Sequence, residues 1–427
     1  MRDALLMMII FGGMPICLFN PHFGILMYIW IGLMNPHRFV YQLSSFPVAL
    51  TVGAATVLGM VMTRRMGRIP MRAEIGLILL WFVYTTMTSI LALAPGAWAE
   101  WDRFGKILLM AIVAAILLQS TKLLHRFILT IAASIGFFGI KGGLFSILTK
   151  GNYLVWGPPD SFIEGNNELA LAELMVLPLI LYFIRQTRGW RRWGLVFAFI
   201  LTSISIIFSY SRGGLVAFAG VALLLTWRSR YRFRALFLAG VGAACLLAFA
   251  PKQWTERMGT IEHYEADPSA LGRINAWHFA WNLATSRFIG GGFHAFTPAL
   301  FLQYAPEPEN YHDAHSIYFE ALGEQGFPGL AIFLGIMGTS LFRLQRLRKE
   351  TRGRREWKWV FDMAEMLQCS IAAYALAGAF LGLAYFDLYY YIIIGGVLLD
   401  VVYREETARL VAPEPARAPV IAVPAER

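Results

Sequence analysis

A chain of 427 residues with 57% hydrophobic and only 15% charged side chains, at a mean hydropathy of +0.55, is not a water-soluble globule; such proteins carry roughly a quarter charged residues. Apolar runs of membrane-spanning length recur along almost the whole sequence, which predicts an all-α, polytopic integral membrane protein and excludes the short alternating segments of a transmembrane β-barrel. The net charge of +10 sits in short basic runs beside those segments, where it reads as a topology signal rather than as a nucleic-acid-binding surface.

In chain order, the stretch 4–35 is two short apolar pieces broken at Pro15 and at Asn20-Pro21. Each is about 15 residues, against the roughly 20 that a full crossing needs, so together they predict one net crossing. The first run has no small-residue cleavage site and is expected to stay as an anchor. Clearer spans follow at about 45–63, 74–95, 104–119, 125–148, 168–185, 192–209, 211–228, 233–250, 327–345, 360–384 and 387–403. That gives about twelve transmembrane helices with both termini inside. The basic clusters Arg64 to Arg68, Arg185 to Arg192, Arg228 to Arg234 and Arg343 to Lys358 are assigned to the cytoplasm. Segments 36–44, 96–103, 149–167 and 251–314 then lie outside, and the last holds four Lys/Arg against seven Asp/Glu.

The resulting organisation is N-terminal helices over 1–250, one large periplasmic loop over 251–314, C-terminal helices over 315–403 and a tail over 404–427. The tail is rich in Pro, Ala and Glu and is expected to be disordered. In the loop, Trp254, Trp277, Phe279 and Trp281 predict short helices at the membrane surface, where aromatic rings concentrate. Cys17, Cys245 and Cys369 all lie in apolar runs and suggest neither a disulfide framework nor a metal site.

Chemistry-bearing residues concentrate on the outer side. His315-Ser316, nine residues and then Gly326-Phe-Pro-Gly329 would place His315, Leu322 and Gly326 on one stripe of a helix, with Gly329 beside it. An imidazole at a helix mouth suits a general base, and the glycines suit close helix packing. A capping histidine over a merely packed stem is the plainer alternative. Arg212, in Ser209-Tyr-Ser-Arg-Gly-Gly214, is a costly charge between two apolar runs and could hold a phosphate bidentately or snorkel to the interface. Arg273, in Gly272-Arg-Ile-Asn-Ala-Trp277, could serve similarly or pair with Glu262, Glu265 or Asp267. Lys106 could add positive charge and Asp387 could pair with a basic group, while Lys141 needs a partner or water. His263, His278, His294 and His312 share the loop with His315, but their spacing matches no zinc motif, so no metal is expected.

The His-Ser-x9-Gly-x-x-Gly run at 315–329, together with Ser-Arg-Gly-Gly at 211–214 and the Arg273 to Trp277 segment, resembles the bacterial O-antigen ligase family, whose members also include O-antigen polymerases and protein O-oligosaccharyltransferases. Met34-Asn-Pro-His-Arg38 and Ser161 to Ala170 look like a subgroup found with exosortase and exopolysaccharide systems. The resemblance implies a GT-C-like membrane glycosyltransferase of the bacterial inner membrane. It implies metal-independent, inverting transfer without a cofactor, from a glycan on undecaprenyl diphosphate to a lipid A–core hydroxyl at the periplasmic face. His315 would be the base, Arg212, Arg273 and Lys106 would hold the diphosphate, and Ser316, Gly326, Gly329 and Asp387 would support the site. Membrane lipids are the surrounding partners, and nucleic acid is not one. A polymerase, a protein O-oligosaccharyltransferase and, outside the enzymes, a lipid-linked sugar transporter are the alternatives. A transporter would be expected to show repeated halves, which the sequence lacks.

Overall fold

The computed structural model describes residues 2–411 apart from 41–45, 66, 229–231, 235, 238–239, 241–249 and 260–267. The main helices are α1 (Arg2–Phe19), α2 (Pro21–Met34), α3 (Val48–Met62), α4 (Ala73–Ile90), α5 (Ala97–Leu117), α6 (Thr121–Leu148), α7 (Asn166–Gln186), α8 (Trp190–Ile207), α9 (Arg212–Arg228), α10 (Lys252–Gly259), α11 (Pro268–Ser286), α12 (Pro298–Tyr304), α13 (Ile317–Thr351), α14 (Lys358–Ala377) and α15 (Asp387–Val411). Among the described residues six helices are long and apolar enough to cross a membrane: α4, α6, α7, α8, α13 and α14 with the turn that follows it. α1, α2 and α3 are apolar but shorter. The molecule is therefore an all-helical, polytopic membrane protein. α5 and α15 stand apart because charge enters them, at Glu100, Asp102, Arg103 and Lys106 in one and at Asp387, Asp400 and Arg404 in the other. The expected span 233–250 falls largely outside the described residues, as does Cys245.

The N-terminal helices correct the expectation of one broken crossing. A Cβ added to Gly13 would meet Met27 Sδ at 2.9 Å, and one on Gly24 would meet Cys17 Cβ at 3.1 Å, so α1 and α2 pack as an antiparallel hairpin. The turn is made by Asn20, whose N–H donates to Ile16 O at 2.7 Å and whose carbonyl accepts from Phe23 and Gly24. Pro21 opens α2, where its missing N–H costs nothing, and Pro15 is accommodated inside α1. Two other boundaries move. α13 runs to Thr351, so Arg343, Arg346, Arg348 and Lys349 lie on a helix rather than in a loop. α15 runs to Val411, past the expected end at 403, while 412–427 lie outside the described residues.

Small residues let the helices close on one another. Cβ atoms on Gly139, Gly142 and Gly143 of α6 would collide with Thr202, Ser205 and the Leu201 carbonyl of α8. Lys141, between them, turns instead toward the Phe39 ring, 5.4 Å from its centroid. The centre of the core is aromatic. Tyr374 of α14 stacks on Tyr389 of α15 at 4.3 Å, and Trp81 of α4 donates to Tyr390 OH at 3.1 Å.

The described parts of 251–314 pack against the ends of these helices. They hold the short helices α10 and α12 beside the longer α11, and most of the rings singled out from the sequence turn inward. Trp254 and Phe279 are buried and Trp277 stacks on Phe319 at 5.0 Å, while Trp281, like Phe288 and Tyr311, is exposed. Trp254 Nε1 donates to Ile207 O at 2.9 Å and Trp277 Nε1 to Ala314 O at 2.9 Å, which ties the segment to α8 and to the residue before His315.

Candidate functional site: two cavities meeting at His315

The stem under His315 is not one continuous helix. α13 begins two residues after His315, and it is interrupted at Gly326, which has φ 65° and ψ −169°. Pro328 accounts for the break, because it has no N–H to give to Glu324 O. The freed carbonyls are taken by a glycine loop. Gly291 N donates to Gly323 O at 2.9 Å, Gly292 N to Glu324 O at 2.7 Å, and Phe327 N to Phe288 O at 3.2 Å. A Cβ on Gly326 would collide with Phe288 O, so glycine is required there by both conformation and space. The loop is fixed on its other side by Leu93 N, which donates to Gly291 O at 2.8 Å. The expected stripe through His315, Leu322 and Gly326 is thus replaced by a kink with a loop docked into it. Gly329 does pack closely, with Trp81 and Tyr84 of α4 3.2 Å from where a Cβ would be.

His315 sits where two cavities meet and lines both. The first, of about 260 Å³, is lined by Arg212 at the start of α9, Arg257 of α10, Arg273 and Ser269 of α11, and His312. The second, of about 400 Å³, is lined by Glu100 and Arg103 of α5, Glu168 of α7, Asp313, and Glu320 and Glu324 of α13. One cavity is therefore rich in guanidinium and imidazole, and the other in carboxylate. Their walls are held by backbone contacts. Arg257 Nε donates to Tyr210 O at 3.0 Å, Ala384 N to Glu320 Oε2 at 2.8 Å and His294 N to Glu324 Oε1 at 2.9 Å. Asn275 pins the loop before His312 by donating to Glu307 O at 2.8 Å and Asn310 O at 2.9 Å, and Glu307 N donates back to it at 3.0 Å.

Three lining residues that are not glycine, Tyr210, His294 and His315, have positive φ of 62°, 65° and 42°. Such backbone costs about 1–3 kcal/mol per residue and persists where the surroundings impose it, commonly at functional sites. Burial, reinforced by the nearby Arg273 guanidinium and by the His312 ring and opposed by Asp313, holds the His315 imidazole below its ordinary pKa of 6.5. The neutral ring, able to accept a proton, is then the form present at neutral pH.

Of the residues singled out from the sequence, the structure brings Arg212, Arg273 and His315 to one cavity. Ser316 caps α13, its Oγ buried without a hydrogen-bond partner among the described residues. Asp387 is buried at the start of α15, within electrostatic reach of Arg103 but lining neither cavity. Lys106 is elsewhere: it pairs with Asp102 beside a separate apolar cavity walled by Phe82 and Trp101. Glu262, Glu265 and Asp267, the alternative partners of Arg273, lie outside the described residues, as does His263. Glu320 and Glu324 were missed by sequence reasoning. Their i, i+4 spacing at the head of an apolar helix was the available signal.

A membrane protein with an imidazole between a cationic and a carboxylate-lined cavity has the parts for moving a hydroxyl proton beside an anionic leaving group. The O-antigen ligase family model matches residues 197–334, which include Arg212, Arg273, His315, Gly326 and Gly329. Residues 1–188 match a family of unknown function, DUF5935. No curated protein matches the chain.

Proposed function

We propose that the protein is an O-antigen ligase that transfers a glycan from undecaprenyl diphosphate to a lipid A–core hydroxyl at the periplasmic face of the inner membrane, with inversion and without a metal. The observation that carries this reading is the position of His315 between the two cavities. The guanidinium groups of Arg212, Arg257 and Arg273 suit a diphosphate, which they can engage bidentately. Carboxylates such as Glu100, Glu168 and Glu320 accept hydrogen bonds and suit the hydroxyls of a sugar. The acceptor oxygen attacks the anomeric carbon, its proton passes to the neutral imidazole of His315, and the bond to the diphosphate oxygen breaks. The arginines stabilise the charge that develops on the departing group.

The test is His315→Ala at constant membrane expression, assayed for transfer from undecaprenyl-diphosphate glycan to lipid A–core. Loss of a general base predicts a rate lower by about 10²- to 10⁴-fold. Unchanged transfer would remove His315 from the role of base. If the unmodified protein lengthens the donor glycan instead, it is a polymerase, and transfer to a peptide hydroxyl would make it a protein O-oligosaccharyltransferase.

A further inference from the structure

Three of the helices that meet at the His315 cavities lead away to a second polar cavity at their other ends. α7 runs from Asn167 and Leu171 to Arg185, α9 from Arg212 to Arg228, and α13 from just after His315 to Arg348. Along α7 the 21 residues of the helix rise about 30 Å, the thickness of a bilayer core. The far cavity has a volume of about 600 Å³ and is lined by six cationic side chains, Arg185, Arg228, Arg348, Lys349, Arg352 and Lys358, against two carboxylates, Asp362 and Glu365.

The two carboxylates are already shared. Glu365 accepts from Arg185 at 2.7 Å and Arg348 at 3.1 Å, and Asp362 pairs with Lys358 at 2.6 Å and Arg185 at 3.6 Å. Among the described residues Arg228 meets neutral acceptors, Gln368 Oε1 at 3.3 Å and Cys369 Sγ at 3.6 Å. Lys349 and Arg352 are exposed and make no ion pair among the described residues. Arg348 Nε is buried without a hydrogen-bond partner, and Arg228 and Arg352 both lie within repulsive reach of it. So much uncompensated positive charge around one hollow calls for an anion with several oxygens. Trp190, Trp193 and Trp227, 73–80% exposed, ring the same end of the bundle. Exposed tryptophans at helix ends mark the headgroup level of a membrane.

We infer that this cavity binds the phosphate of an anionic phospholipid headgroup. Basic pockets between spans at the bilayer surface take such headgroups, and paired guanidinium groups match a phosphodiester. A soluble phosphate offers the same oxygens, so the experiment separates the two sources. The full-length protein is placed in nanodiscs of phosphatidylcholine, without or with phosphatidylglycerol, and its melting temperature is followed. Inorganic phosphate is titrated into the phosphatidylcholine discs as the second arm.

The expected result is a melting temperature that rises with phosphatidylglycerol and not with inorganic phosphate. The exposed pair of substitutions K349A/R352A should weaken the apparent lipid affinity by on the order of thirty-fold and leave the melting temperature in phosphatidylcholine unchanged. R228Q, which touches no carboxylate, should weaken it in the same direction. A rise with inorganic phosphate equal to that with the lipid overturns the lipid as ligand. A lipid effect of the same size in the unmodified protein and both variants overturns the site.

Discussion

In one network of α4, α13 and α15, at the end of the bundle away from His315 and apart from the basic cavity, charge is structural. Arg343 is clasped by Glu74 through bonds of 2.6 and 2.7 Å, and Asp400 joins it at 3.2 Å while also pairing with Arg404 at 3.3 Å. Arg404 and Arg346 in turn share Glu350, each at 2.8 Å. At the His315 end the scaffold is backbone: the glycine loop 290–292 trades main-chain hydrogen bonds with the kink in α13, and carboxylates and guanidinium groups are held by peptide N–H and C=O. The difference teaches how one helical frame can carry two kinds of charged site. Where ion pairs supply the rigidity, they consume the charge. Where peptide groups supply it, ionisable side chains are left to line cavities.

The largest expected effect comes from the backbone-built end. Gly326→Ala places a Cβ into Phe288 O at a positive φ, and both the kink and the docked loop must give way. We expect a loss of more than about 5 kcal/mol, seen as failure to purify as a monodisperse protein in detergent. A variant that melts like the unmodified protein would show that the loop does not depend on this docking. At the other end Glu74→Ala leaves Arg343, only 19% exposed, with Asp400 alone. Breaking such a buried pair costs about 3 kcal/mol. The melting temperature should fall while transfer per folded molecule stays unchanged, since Glu74 lines neither cavity at His315. A fall in transfer without a fall in stability would break the separation between the two ends.

Much of the site around His315 was legible in the sequence, because polar residues stand out against apolar runs. Arg212, Arg273 and His315 were each conspicuous for that reason, and they share a cavity. The shape of the stem was less legible. His315, Leu322 and Gly326 were read as one stripe of a helix with Gly329 beside it, but the decisive fact is a partner far along the chain: the glycine loop at 290–292 that takes the carbonyls the break at Gly326 and Pro328 leaves open. Lys106 was read as a group that could add positive charge to the arginines, yet Asp102 one turn earlier pairs with it. The hairpin at Asn20 was hidden for the opposite reason. Two runs too short to span the bilayer singly are as compatible with a turn as with a break, and only their packing decides.

The smallest predicted effect tests His315 most specifically. If its neutral ring accepts the proton, the rate should fall on acidification with a limb below pH 6.5, because burial and the nearby Arg273 guanidinium hold the pKa down. His312 and Arg273 press it lower and Asp313 lifts it, while Arg212, Arg257 and Glu320 line the adjoining walls. His312→Asn removes the electrostatic push of the neighbouring ring, so the imidazole gains protons more easily and the limb should move to higher pH. Asp313→Asn removes an attracting anion, and the limb should move to lower pH. Each shift is expected to be under about one pH unit. Opposite displacements of the acid limb, with maximal rates little changed, are what an imidazole base between these two neighbours requires. Displacement in one direction by both variants, or in neither, would mean that the limb reports another group, one of the carboxylates of the second cavity being the nearest choice.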